Sequence, residues 1–228
     1  MRVAVHQPNY APWCGYFAKL FCCESFIFFD DVQLPLGRSY VSRAKIAKGP
    51  DGEQWLTVPI SKSGNPTIDQ VHIADGGWAA KHLLTLRHVY ARSAHAEEVL
   101  DLVDPVYEQA GDSLAQFNMA LVERVSRYLG WTGTFHRSSE HPADLRADQR
   151  IADLVNAVGG DVYVSGAGGE NYQTASAYAV RGVTLEVRTY QPREYARSSW
   201  PFLPGLSVLD ALFHQGRDSR AVMTYPDA

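Results

Sequence analysis

The first 31 residues constrain the fold more than any later stretch. RVAV is a short apolar run of strand length, and SFIFFDD is a second one ending in two aspartates. Between them GYFAKLFCCE is apolar nearly all round, the pattern of a helix packed against a sheet. Strand, loop, helix and strand in this order predict a βαβ unit with a right-handed crossover. Parallel pairing places the opening loop, HQPNYAPWCGYF, and the Asp30-Asp31 pair at the carboxyl ends of adjacent strands. Open α/β sheets form their ligand crevices there. The loop is also far richer than a connection requires, with a histidine, two prolines, a tryptophan, a cysteine, a glycine and two tyrosines.

Further along, YVSRAKIAKGPDGEQWLTVPI carries two extended runs around PDG, which predicts a β-hairpin. DQVHIAD adds a short strand. From Trp78 to Leu129 apolar residues recur at three- and four-residue steps, with Gly111-Asp112-Ser113 as a helix start and Gly130 as a stop. The βα rhythm then resumes. TGTFHR, DVYVSG and VTLEVRTY are predicted strands; ADQRIADLVNAVGG, ENYQTASAYAVRG and LSVLDALFHQG are predicted helices. The expected architecture is a mostly parallel, Rossmann-like α/β sheet flanked by helices, with a β-hairpin and a helical insertion near residues 78–130. Residues 1–228 are read as a single domain. The 228 residues, 46% of them apolar, suffice for such a core.

Charge and cysteine usage narrow the class. A net charge of −4 with no basic block argues against a nucleic-acid partner. No apolar stretch approaches the roughly 18 residues of a membrane span, and the amino terminus reads as a strand rather than a signal peptide. Three clustered cysteines, Cys14, Cys22 and Cys23, lack the spacing of a disulfide framework or metal site. A reduced, cytoplasmic protein without a bound metal is expected.

Several residues are candidates for chemistry. His6, immediately after the first strand, suits a general base or a phosphate ligand; its alternative is a ring that fastens the loop. Gln7 and Asn9 offer amides to orient a substrate, and Tyr10, Trp13 and Tyr16 form either an aromatic wall or core. Cys14 beside a histidine is a possible nucleophile, although a free cysteine is more often a small buried hydrophobe. Asp30 and Asp31 cannot both point the same way along a strand. One is expected to enter the site as a base or an Mg²⁺ ligand, the other to cap a turn or pair with Arg38 or Arg43. Gln33 follows them. Arg43 can meet an anionic group from the hairpin. In the loop SGAGG, Ser165, Gly166 and Gly168 allow main-chain N–H groups to approach an anion, and Tyr172 can cover a ligand beyond it. His82 and His88, six residues apart, are poorly spaced for joint metal binding.

HQPNYAPWCGYF, FFDDVQ, the hairpin with QWLTVPI, the W-x-x-K-H start of the helical part, YVSGAGGENY and FLPGLSVLDALFHQG occur in this order nearly end to end. Together they resemble the WbqC-like protein family. That resemblance implies proteins of O-antigen, surface-polysaccharide and natural-product pathways, and a biosynthetic transfer of an acyl or aminoacyl group to an amine. Cys14 stands where the family is expected to carry an ordinary apolar residue, which weighs against a family-wide thiol mechanism. EYARSSWPF lacks a glutamine that often follows the tyrosine, which weighs against a binding role for Tyr195.

Three functions follow as expectations. The first is an acyl- or aminoacyltransferase using a thioester on coenzyme A or an acyl carrier protein, with a small-molecule amine as acceptor. The second is a nucleotidyltransferase-like enzyme, the one alternative that calls for Mg²⁺. The third is a non-catalytic accessory protein of a biosynthetic complex.

Overall fold

The computed structural model describes residues 1–226 apart from 36, 38, 51, 62, 63, 75, 143–146, 170–172 and 199. The chain opens with strand β1 (Arg2–His6), helix α1 (Cys14–Phe21) and strand β2 (Ser25–Phe28). A hairpin follows, β3 (Arg43–Ala47) against β4 (Glu53–Thr57), and then a small antiparallel pair, β5 (Ile60–Ser61) with β6 (His72–Ile73). Helices α2 (Trp78–Val89), α3 (Ala96–Glu108) and α4 (Leu114–Tyr128) form the helical insertion. The remainder alternates: β7 (Thr134–Arg137), α5 (Ala147–Ala157), β8 (Val162–Gly166), α6 (Ala175–Ala179), β9 (Thr184–Arg188) and α7 (Val208–Gln215).

Five of these strands form one all-parallel sheet in the order β7-β2-β1-β8-β9. In chain order this is 3-2-1-4-5, five strands of the doubly wound 3-2-1-4-5-6 arrangement, with its direction reversing between β1 and β8. The α/β Rossmann-like fold expected from the sequence is therefore present, with the hairpin and the helical insertion both lying in the long crossover from β2 to β7.

Side chains alternate across the sheet, as strand geometry requires. Ala4, Phe26, Phe28 and Val164 enter a large core shared with α1, the hairpin, the insertion and α7. Val3, Val5, Ile27 and Tyr163 face the other way and pack with Ala152, Leu154, Val155 and Tyr178. Covering both faces explains why these strands read as uninterrupted apolar runs. Burying one phenylalanine or leucine contributes about 1.5–3 kcal/mol, and Phe17, Leu20, Phe26 and Phe28 are at most 1% exposed.

Local signals set several boundaries. The Ser113 hydroxyl accepts the Gln116 N–H at 3.4 Å and starts α4, while Gly130 takes a φ of +85° just past its end. The Ser207 hydroxyl accepts the Leu209 N–H at 3.2 Å at the start of α7. Two elements are shorter than the sequence indicates: α1 stops at Phe21, and the helix read across ENYQTASAYAVRG comprises Ala175–Ala179 among the described residues.

Candidate functional site

The opening loop is pinned on three sides before it offers anything to a ligand. The Asn118 amide of α4 donates to the carbonyls of Pro8 at 2.9 Å and Val41 at 2.7 Å. Tyr10, 1% exposed, places its hydroxyl against His82 Nδ1 at 2.9 Å and the Tyr107 hydroxyl. Val208 N–H donates to the Pro12 carbonyl at 2.8 Å, tying the loop to α7. So Tyr10 turns into the core and anchors the loop to the helical insertion, because its aromatic body is buried and its hydroxyl is satisfied there. Burial lowers the His82 titration to about 4, so this partner is a neutral ring at pH 7.

Two clefts flank the pinned loop. One, of about 550 Å³, lies between the carboxyl ends of β1 and β8, where the sheet order reverses. His6 and Gln7, then Gly15, Tyr16 and Lys19 of α1, then Ser165, Gly166 and Gly168 line it, with Arg188 at the end of β9 and Tyr190 just beyond it. The other, of about 600 Å³, is lined by His6, Gln7, Asn9, Trp13, Pro35, Ser39, Tyr40 and Gly205. His6, Gln7 and Trp13 belong to both.

His6 Nδ1 lies 3.1 Å from the Gln7 carbonyl, and its ring meets Tyr16 edge-on at 4.6 Å. A carbonyl only accepts, so Nδ1 carries the proton and Nε2 keeps its lone pair. The Tyr16 hydroxyl also donates to the Gln7 carbonyl, at 3.2 Å. Burial lowers the His6 titration to about 3, and the Lys19 charge pushes it the same way. The imidazole is therefore neutral at pH 7.

Glycines do different work on the two sides of the cleft. A Cβ at Gly15 would stand 2.6 Å from the Trp13 ring and 2.8 Å from Tyr190. The bare position lets those rings meet edge-on at 5.2 Å. Gly166 and Gly168 have open space where a Cβ would sit, so their main chain is exposed to an occupant of the cleft. Ser165 is 2% exposed, and its hydroxyl donates to the Gly166 carbonyl at 3.2 Å.

The two aspartates lie elsewhere. Asp30, fully buried, accepts from Arg137 at 2.9 Å, from Ser138 at 3.1 Å and from the Ser139 N–H and hydroxyl at 3.0 and 2.9 Å. Burial alone would raise its titration, but the hydrogen bonds from Ser139 and Arg137 outweigh it and hold the carboxyl below the usual range. Asp31 pairs with Arg150 at 2.7 Å. Neither lines either cleft, and their arginine partners among the described residues are Arg137 and Arg150, not Arg43. Parallel strand ends next to one another thus carry separate polar clusters, and the carboxylates went to the cluster made with β7.

The remaining candidates divide in the same way. Gln33 is exposed and pairs through its main chain with Thr67. The Arg43 guanidinium stacks on Trp55 at 4.0 Å, on the hairpin and outside both clefts. Tyr172 and Arg38 lie outside the described residues. Cys14 is 8% exposed, and burial together with the nearby Asp210 charge pushes its thiol up to about 12, so it is no thiolate at pH 7. Asp210 is itself buried, receiving Arg197 at 2.9 and 3.1 Å and the hydroxyls of Tyr90 and Tyr195 at 3.0 and 2.7 Å. Tyr195 thereby fastens the segment before α7.

Sequence reasoning missed Lys19, Arg188, Tyr163 and Tyr190, all in the lining of the first cleft. Lys19 did leave a signal, as the one charge in GYFAKLF, a helix otherwise apolar on every side. Among the described residues, no group of three or more His, Cys, Asp or Glu side chains is arranged to hold a metal ion, and no helix is long and apolar enough to cross a membrane.

A doubly wound α/β sheet with a crevice at its switch point defines the broad class. Residues 7–222 match the WbqC-like protein family, and the chain belongs to it. It is 29% identical over 228 residues to the uncharacterized protein Rv1507c of Mycobacterium tuberculosis, with 98% of each chain covered. Membership suggests a biosynthetic role. No solved structure matches the chain.

Proposed function

We propose that the protein is a biosynthetic group-transfer enzyme that moves an acyl or aminoacyl group from a thioester to a small amine. The observation that carries this reading is the junction of the two clefts at His6, Gln7 and Trp13. A transfer reaction needs two substrates to meet at one point, and the loop sits between two ligand-sized spaces. The donor, a thioester of coenzyme A or an acyl carrier protein, occupies the switch-point cleft, and the amine occupies the other. The amine nitrogen attacks the thioester carbonyl, the C–S bond breaks, and the nitrogen's proton passes to His6 Nε2 and from there to the departing sulfur, which leaves as the thiol. A neutral imidazole of low basicity cannot strip a free ammonium, but the cationic nitrogen formed on attack is acidic enough to give up its proton. Main-chain N–H groups near Gly166 and Gly168 are the donors for the developing oxyanion. The reading places the protein in the cytoplasm, with its three cysteines free.

Incubation with acyl- and aminoacyl-thioesters and a panel of amines, followed by mass spectrometry, tests this. An amide product is expected, with its formation slowed about 10²–10⁴-fold in a folded His6→Ala variant. No amide from any pairing overturns the reading, and an unchanged pathway product in the variant makes the protein a non-catalytic accessory.

A second reading, a nucleotidyltransferase-like enzyme, is favoured by the strand order 3-2-1-4-5 and by Lys19 and Arg188 in the switch-point cleft. Under it Mg²⁺ and a nucleoside triphosphate are required, and pyrophosphate release in their presence decides for it.

A further inference from the structure

Three cations are buried among the described residues: Lys19, Arg150 and Arg197, at 6%, 5% and 1% exposure. Arg150 is paired with Asp31, and Arg197 with Asp210. Lys19 has no carboxylate partner among the described residues; its ammonium donates to the Val5 carbonyl at 3.0 Å. A buried charge that lacks an opposite charge is costly, and proteins rarely keep one without a use for it. Lys19 lines the switch-point cleft, whose lining also includes Arg188 and, among the described residues, no aspartate or glutamate.

We propose that Lys19 is the counter-ion for a phosphoryl group of the ligand that occupies the cleft between β1 and β8. The chemistry of the lining supports a phosphorylated ligand. The main chain has open space beside it at Gly166 and Gly168, so a phosphoryl group can approach the backbone there. The rings of Tyr163, Tyr190 and Trp13 stand along the same space and suit a flat base. This deepens the group-transfer reading and rests on it for the donor's position, since coenzyme A carries phosphoryl groups as a nucleoside triphosphate does.

Binding also reaches the reacting group. Burial lowers the Lys19 titration to about 8, and the Lys19 charge is one of the causes that depress His6. An anion beside Lys19 offsets that charge and so removes the smaller of the two causes that depress His6, while burial, the larger, stays. The affinity for the anion in turn declines as pH rises past about 8, where free Lys19 loses its proton.

The test is calorimetric titration of pyrophosphate, coenzyme A and ATP into the wild-type chain and Lys19→Met, with ligand-free thermal melts of both. The wild type binds at least one probe, and Lys19→Met binds it about tenfold more weakly or worse. The variant melts at the same or a higher temperature, because it loses an uncompensated buried charge. Equal affinity in the two proteins, no binding of any probe to the wild type, or a lower melting temperature of Lys19→Met overturns the proposal. Should Lys19→Met not fold, lysine ¹³Cε resonances of the wild type replace it: the Lys19 midpoint rises when pyrophosphate is added, and an unmoved midpoint overturns the assignment. Comparing coenzyme A with ATP separates the two donor classes. Because binding is read without turnover, absence of an amide product removes the transfer reading while leaving this result to stand or fall by itself.

Discussion

The carboxyl end of the sheet carries two polar regions side by side, and they are built on opposite principles. Beyond β2 and β7, Asp30 and Asp31 are matched to Arg137, Arg150, Ser138 and Ser139 by charge and hydrogen bond. Beyond β1 and β8, among the described residues, Lys19 has only a carbonyl, His6 is kept neutral with no partner at Nε2, and Gly166 and Gly168 have open space beside them. Both are polar; the first is completed by its partners and the second is not. A completed network tightens the fold and leaves nothing for a ligand, whereas an incomplete one retains interaction energy for whatever enters.

The most forceful way to break this contrast is Asp30→Ala. It strips the acceptor from Arg137 and both serines inside a buried network, and about 3 kcal/mol of stability should go with it. Urea denaturation measures the loss, and probe binding in the cleft should be unaffected in the protein that remains folded. A variant of wild-type stability that no longer transfers would reverse the roles of the two regions.

A pH series sharpens the contrast further, with a smaller effect per unit. His6 titrates at about 3 when folded against 6.5 ordinarily, so between those values the unfolded chain binds the extra proton. The His6 contribution is complete above pH 6.5 and drains as pH falls toward 3, by at most about 1.4 kcal/mol per pH unit. Asp30, held below its ordinary 3.8, keeps its contribution down to that value and loses it only as pH falls through its lower folded titration. The stability difference between wild type and His6→Gln should therefore shift against the wild type first, from pH 6.5 downward, before the acid network weakens. A difference independent of pH would mean that His6 is not the buried neutral ring described.

Much of the architecture was legible because the sheet is covered on both faces. Full burial turns β1, β2 and β8 into apolar runs, and the change from runs to three- and four-residue steps marks the helices. The position of the opening loop and of Ser165–Gly168 followed from the strands alone. Partnership did not. Asp30 and Arg137 are 107 residues apart in the chain, and nothing local in FFDDVQ distinguishes a carboxylate that will be neutralised from one left for substrate. The same gap hid Lys19, whose only hydrogen-bond partner among the described residues is the Val5 carbonyl, with no carboxylate. Tyr10 and Tyr16 show it for aromatics: six positions apart, one in the loop anchors the insertion while the other, in α1, lines the cleft.

The smallest expected effect belongs to Cys14→Ala, and its smallness is informative. Cys14 is the first residue of α1, adjacent in sequence to Trp13 and Gly15 of the cleft wall, so proximity alone nominates it as the acceptor of an acyl group. Burial and the Asp210 charge nevertheless hold its thiol near 12. At pH 7 the thiol is then essentially undissociated, where an ordinary cysteine is about a few per cent thiolate. Losing a small buried sulfur costs about 1 kcal/mol, which a thermal melt detects, and the transfer rate should stay within about twofold of wild type. If instead Cys14→Ala halted transfer while His6→Ala did not, and intact-protein mass spectrometry of the wild type showed an acyl adduct, the chemistry would proceed through the thiol. The uncompensated side of the sheet would then act by covalent capture, not by holding two substrates against a neutral histidine.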